Sequence, residues 1–112
     1  MNIDFKDAGP VLVARIADKR IDASAGPDLK AKVGARIEQG AQKLVLDLTD
    51  VEFVDSTGLG AILAVVKRVP SSGSVVLCGC RPTLVDLMRL TRLDRVFKIY
   101  GSQDEATAAL SA

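Results

Sequence analysis

Histidine and tryptophan are absent from the 112 residues, which include only two cysteines, one tyrosine and three phenylalanines. Without histidine the commonest general base is missing, and a Ser-His-Asp hydrolase is excluded. The two thiols, Cys78 and Cys80, flank Gly79 on an expected strand, where a bridge would be strained and would close almost no loop. They read as reduced core thiols. With no further cysteine pair to complete a ligand set, neither a metal nor a cofactor is expected. Scarce aromatics leave little capacity to stack bases, so Arg81, Arg89, Arg92 and Arg95 read as a solvated helix face. Charge of one sign is lacking too. Fifteen basic and fourteen acidic residues give a net charge of +1 without long blocks, and no field steers the chain onto nucleic acid or an anionic membrane. The longest apolar stretch, Ala61 to Val66, falls far short of the roughly 18 residues that suggest a membrane span. The start, Met1-Asn2-Ile3-Asp4-Phe5-Lys6-Asp7, lacks the form of a secretory signal, so a cytoplasmic protein is expected.

What is present is the composition of one globular domain over residues 1–112, with 48% hydrophobic and 26% charged positions. Residues 2–6 and 11–16 read as a hairpin joined at Gly9-Pro10, followed by a polar bend over 17–22. Leu29, Val33 and Ile37 recur every four residues and predict a helix over 24–39, with Ser24 as its N-cap and Pro27 near its start. Leu44 to Leu48 is a buried strand and residues 51–54 a brief extended link. A second helix is expected over 57–69, stopped by Pro70-Ser71-Ser72-Gly73. A strand over 74–78 leads to a third helix from Pro82, with Leu84, Leu87, Met88 and Leu90 on its apolar side. Val96 to Tyr100 is the last strand, and Ser102 caps a short helix over 103–110. The alternation predicts an α/β domain: a mixed sheet with an opening hairpin, parallel later strands and about four helices on one face.

The run Asp55-Ser56-Thr57-Gly58-Leu59-Gly60 falls at a helix N-terminus, where unpaired N–H groups and the positive end of the macrodipole suit either a cap or a phosphate. Asp55 or Ser56 is the natural cap. Gly58 and Gly60 each cost a helix about 1 kcal/mol relative to alanine. Such glycines ordinarily mark close approach of another backbone, here either a neighbouring strand or a partner's surface. The helix that follows is apolar on nearly every side. Either it is wholly buried, or Leu59, Ala61 or Val65 contribute to an exposed apolar strip beside Ser56. No GxxxxGK[ST] loop exists, and the glycines lack the third member of a dinucleotide loop, which argues against nucleotide binding. The Asp-Ser-Thr-Gly run also lacks the second carboxylate that an aspartic protease needs.

On Val45-Leu46-Asp47-Leu48 and Val54 to Gly60, with Arg20 to Ala23 and Leu90 to Tyr100 in support, the chain resembles bacterial anti-sigma factor antagonists, stand-alone STAS domains. The resemblance covers almost the whole length. It implies a STAS-like fold, a non-enzymatic role, and Ser56 as phospho-acceptor for an ATP-binding anti-sigma factor that is also a serine kinase. A PP2C-type phosphatase would reverse the modification. The unphosphorylated form would bind the anti-sigma factor and free a sigma factor. By the same resemblance Asp55, Thr57, Gly58 and Leu59 form the recognition loop with Ser56, and Asp22 and Ser24 lie beside it on the partner-facing surface. Arg92 stands where many relatives carry glycine, a difference that bears on partner choice. The alternative is a STAS accessory or scaffold module of a transport system or stress-signalling assembly, since a fold alone does not fix function.

Overall fold

The computed structural model describes residues 1–111. Strands β1 (Ile3–Ala8) and β2 (Val11–Ile16) form the opening antiparallel hairpin, and Gly9 at φ +61° makes the left-handed step of its turn. β4 (Lys43–Asp47), β6 (Ser74–Cys78) and β7 (Lys98–Tyr100) then run parallel to β2 in the order β1-β2-β4-β6-β7. Parallel pairing requires helical crossovers. These are α1 (Gly26–Glu38), α2 (Ser56–Arg68) and α3 (Pro82–Leu90), and each begins just past the carboxyl ends of the strands.

Two segments read as a bend and a link pair with each other instead. β3 (Arg20–Ile21) and β5 (Phe53–Val54) make a separate parallel ribbon, with Arg20 opposite Phe53 and Ile21 opposite Val54. Two residues are too few to show alternation. Lys19 and Glu52, by contrast, are joined by a 2.7 Å backbone hydrogen bond that no side-chain pattern records.

The helices do not share one face, contrary to the expectation from alternation alone. Leu12, Ala14, Ile16, Leu44, Leu46 and Leu77 point into the main core with α1, α2 and α3. Val11, Val13, Val45, Val76 and Cys78 occupy the other side and pack on Ala106 of α4 (Gln103–Ser111). Because the central strands are apolar on both faces, the second face needs its own cover, and the last helix supplies it. Ser102 caps α4 as anticipated, its Oγ accepting from the Glu105 amide at 3.2 Å.

Two boundaries and one packing contact also differ from expectation. α1 starts at Gly26 after Ala25, without a side-chain cap, while the Ser24 hydroxyl turns to Asp22. The last strand begins only at Lys98, because Leu93–Arg95 form a 3-10 turn after Arg92, which sits at φ 61°. That left-handed position is one where glycine carries no steric penalty. Leu90, read as apolar contact, is 82% exposed, and Leu84 and Met88 do the packing of α3. No helix is long and apolar enough to cross a membrane among the described residues.

Candidate functional site

The parallel ribbon decides where the singled-out residues meet. Since β3 and β5 run in the same direction, the residues that leave them, Asp22 and Asp55, emerge at the same end. The Asp55 amide donates to the Ile21 carbonyl at 3.3 Å and fixes the two exits together. Asp22 to Ser24 and Asp55 to Gly58, far apart in sequence, thus form one surface at the carboxyl edge of the strands. Binding sites concentrate at this edge in open α/β sheets.

Asp55 has extended backbone angles, φ −89° and ψ −178°, and its Oδ1 accepts from the Gly58 amide at 2.7 Å. It is the N-cap. Ser56 is therefore the first helical residue, one position earlier than anticipated, and its exposed hydroxyl is not needed for the cap. Thr57 is exposed beside it.

The two glycines have different reasons. A Cβ at position 58 would stand 1.9 Å from the Ile21 carbonyl oxygen, so Gly58 admits the neighbouring strand of the same domain. A Cβ at position 60 would meet nothing within 4 Å, and Gly60 is exposed. No contact within the domain accounts for it.

Leu59 is 7% exposed, Ala61 2% and Val65 0%, so the apolar strip considered for the outside of α2 belongs to the core. Fully burying a leucine, isoleucine or valine side chain stabilises the fold by about 1.5–3 kcal/mol. The members Leu59, Ile62 and Val65 accordingly hold the helix and its leading serine in place. Gly58 and Leu59 set the geometry of the loop, and its accessible members are Ser56, Thr57 and Gly60. On the outer side Ala64 and Leu63 are half-buried and Lys67 is exposed.

Asp22 lies on the other half of the surface. Its Oδ1 accepts from the Ser24 hydroxyl at 2.6 Å and the Ser24 amide at 3.0 Å, and Arg20 Nε stands 3.6 Å from Oδ2. These donors, the Ser24 hydroxyl foremost, hold its carboxyl below the usual range. Arg20 in turn lies over the Phe53 ring, 4.5 Å from its centroid, and Phe53 is 43% exposed. Sequence reading passed over this pair. The available signal was the twin pattern Arg-Ile-Asp and Phe-Val-Asp, each a short apolar step into an acidic residue.

Beneath the surface, Asp47 at the end of β4 is 4% exposed yet fully paired. Its Oδ1 accepts from the Thr49 hydroxyl at 2.6 Å and the Thr49 amide at 3.0 Å, and its Oδ2 from Gln103 Nε2 at 2.9 Å. Burial pushes this carboxyl upward, but the Thr49 and Gln103 donors outweigh it and the net displacement is downward. Burial and the neighbouring Asp47 charge push the Cys78 thiol up to about 12, and the same two causes take Cys80 to about 11.

This arrangement is that of a small α/β domain whose exposed serine opens a helix, and the chain belongs to the STAS domain family, which matches residues 2–106. Within that family it is similar to anti-sigma factor antagonists. The anti-sigma-B factor antagonist of Bacillus subtilis is 34% identical over 105 residues, 93% of this chain and 94% of that protein. A crystal structure of an anti-sigma factor antagonist from Mycobacterium paratuberculosis superposes with a TM-score of 0.90 at 27% identity, covering 99% of this chain and 94% of that one. A sulfate transporter family protein from Wolinella succinogenes shares the fold, with a TM-score of 0.78 at 18% identity over 91% of this chain and 85% of that one.

Proposed function

We propose that this chain is an anti-sigma factor antagonist that works as a phosphorylation-controlled partner switch. The observation that carries the reading is Ser56: an exposed hydroxyl at the head of α2, on a backbone held by the Asp55 cap and the Ile21 carbonyl. In this reading the unmodified surface of Asp22, Ser24, Asp55, Ser56 and Thr57, shaped from beneath by Gly58 and Leu59, docks an ATP-binding anti-sigma factor, which then no longer holds its sigma factor. Gly60 has no neighbour of its own, and its bare backbone suits close approach by that partner.

The same partner acts as a serine kinase on Ser56, and a PP2C-type phosphatase restores the hydroxyl. The chain itself performs no catalysis. Phosphorylation adds about 1.5–2 negative charges beside the Asp55 and Asp22 carboxylates. Burying that dianion against a partner is costly, whereas the N-terminus of α2 tolerates it within the domain. Binding is lost and the fold is kept.

The test is to incubate the protein with ATP and candidate anti-sigma kinases from the same genome, then locate the phosphate by mass spectrometry. Modification confined to Ser56, absent from Ser56→Ala, supports the switch. Phosphate only at other positions, or a Ser56→Asp protein that binds as tightly as the unmodified one, sinks it.

A further inference from the structure

The ribbon that joins the two halves of the surface also carries a cation at its edge. Arg20 pairs in register with Phe53, and its guanidinium lies over that ring while Nε approaches Asp22 Oδ2 at 3.6 Å. Asp22 is two residues farther along the chain, toward the end from which α2 departs. The guanidinium therefore lies toward the end of the ribbon from which α2 departs. Ser56 is three residues beyond Phe53, no more than about 11 Å of extended chain, and an arginine and a phosphoserine side chain together span such a gap.

Nothing in its present contacts binds Arg20 tightly. Its side chain is 63% exposed and the approach to Asp22 is long for an arginine–carboxylate pair. Asp22 does not depend on it, because Oδ1 already accepts two hydrogen bonds from Ser24. The Phe53 ring supports the face of the guanidinium and leaves its N–H edges directed outward. The charged groups around the spot are Asp18, Lys19 and Asp22 on the β3 side, Glu52 and Asp55 on the β5 side, and Arg81, which lines a groove with Phe53 and Leu87.

We propose that Arg20 is the receiver of the Ser56 phosphate: once Ser56 is modified, the guanidinium leaves Asp22, stays stacked on Phe53 and forms charge-assisted hydrogen bonds with the phosphate oxygens. This rests on the reading of Ser56 as the acceptor. Planar, two-pronged donation to phosphate is what arginine does and lysine does not. The modified surface then differs from the unmodified one in two ways, an added dianion and a relocated cation, and a phosphatase must displace Arg20 to reach the phosphorus.

Phosphoserine placed at position 56 of the intact chain by an expanded genetic code gives a direct reading, through phosphorus NMR followed across pH. The second ionisation of phosphoserine ordinarily lies near 6. With Arg20 present it falls about half a unit or more below its value in Arg20→Gln, with Arg20→Lys in between. The Arg20 Nε–H resonance also shifts on modification in the parent protein. Identical phosphate titrations in the parent and Arg20→Gln, with an unmoved Arg20 resonance, overturn the proposal. The phosphate is installed without a kinase, so the two readings fail separately. A kinase that ignores Ser56 counts against the partner switch, and an indifferent titration counts against Arg20.

Discussion

The side-chain amide of Gln103 donates to Oδ2 of Asp47 at 2.9 Å, joining the first turn of α4 to the end of β4 across 56 positions of sequence. The same Gln103 accepts from Lys6 Nζ at 2.8 Å, so one residue ties α4 both to the sheet interior and to the hairpin edge. α4 buries little apolar surface, essentially Ala106 with Leu110 partly packed, and this polar tie fixes its seat.

Removing the buried acceptor is therefore expensive. Asp47→Ala leaves the Thr49 hydroxyl and the Gln103 amide without their acceptor and unties α4, and urea unfolding should show a loss of about 1–3 kcal/mol. The pH dependence follows from the direction of its displacement. A carboxyl held below its unfolded value contributes stability fully above that value, about 3.9, and loses it as pH falls through the lower folded one. The parent protein should thus lose stability below about pH 4 more steeply than Asp47→Asn.

Gly58 and Gly60 should respond oppositely to alanine. Gly58→Ala drives a Cβ into the Ile21 backbone, which cannot swing away as a side chain could, and costs about 1–3 kcal/mol. Gly60→Ala meets open space and gains about 0.5–1 kcal/mol of helix stability. Thermal unfolding orders the three proteins. If a partner packs on the bare backbone, the stabilised Gly60→Ala protein binds it more weakly.

The cap can be separated from the charge. Asp55→Ala removes the acceptor of the Gly58 amide and should lower stability by about 1 kcal/mol, while Asp55→Ser, which keeps an acceptor, should lose much less. Equal losses in chemical denaturation would show that the carboxylate, rather than the cap, matters to the fold.

Thiol reagents offer a further check. With Cys78 displaced to about 12 and Cys80 to about 11, almost no thiolate exists at neutral pH in the folded chain. Labelling of the native protein at pH 7 should run at least about a hundredfold slower than for a free cysteine, and unfolding should abolish the difference.

Long elements were legible because their patterns are long. The periodic Leu29, Val33 and Ile37 gave α1, and the apolar run Leu44 to Leu48 gave β4. The side on which α4 packs was not legible, although Val11, Val13, Val45 and Val76 alternate with Leu12, Leu44, Leu46 and Leu77 as two separately covered faces. At the site, a helix start near Ser56 followed from local chemistry while Ser56 as an acceptor came only from the family resemblance, and the choice between Asp55 and Ser56 as cap turns on a hydrogen bond. The reason for Gly58 lay in Ile21, thirty-seven positions away, joined through a ribbon too short to leave a periodic trace.

The shared direction of β2, β4, β6 and β7 gives the molecule two unequal poles. At one, Asp22, Asp55 and Ser56 depend on a register in which one inserted residue between Val54 and Ser56 would rotate the hydroxyl away from its surface. At the other lie the Gly9-Pro10 turn and the segment from Pro70 to Gly73, where chain can lengthen, or a tag or second domain be spliced in, without disturbing that register. A fluorescent reporter of the switch belongs at this second pole, and growth of the chain by insertion has its room there too.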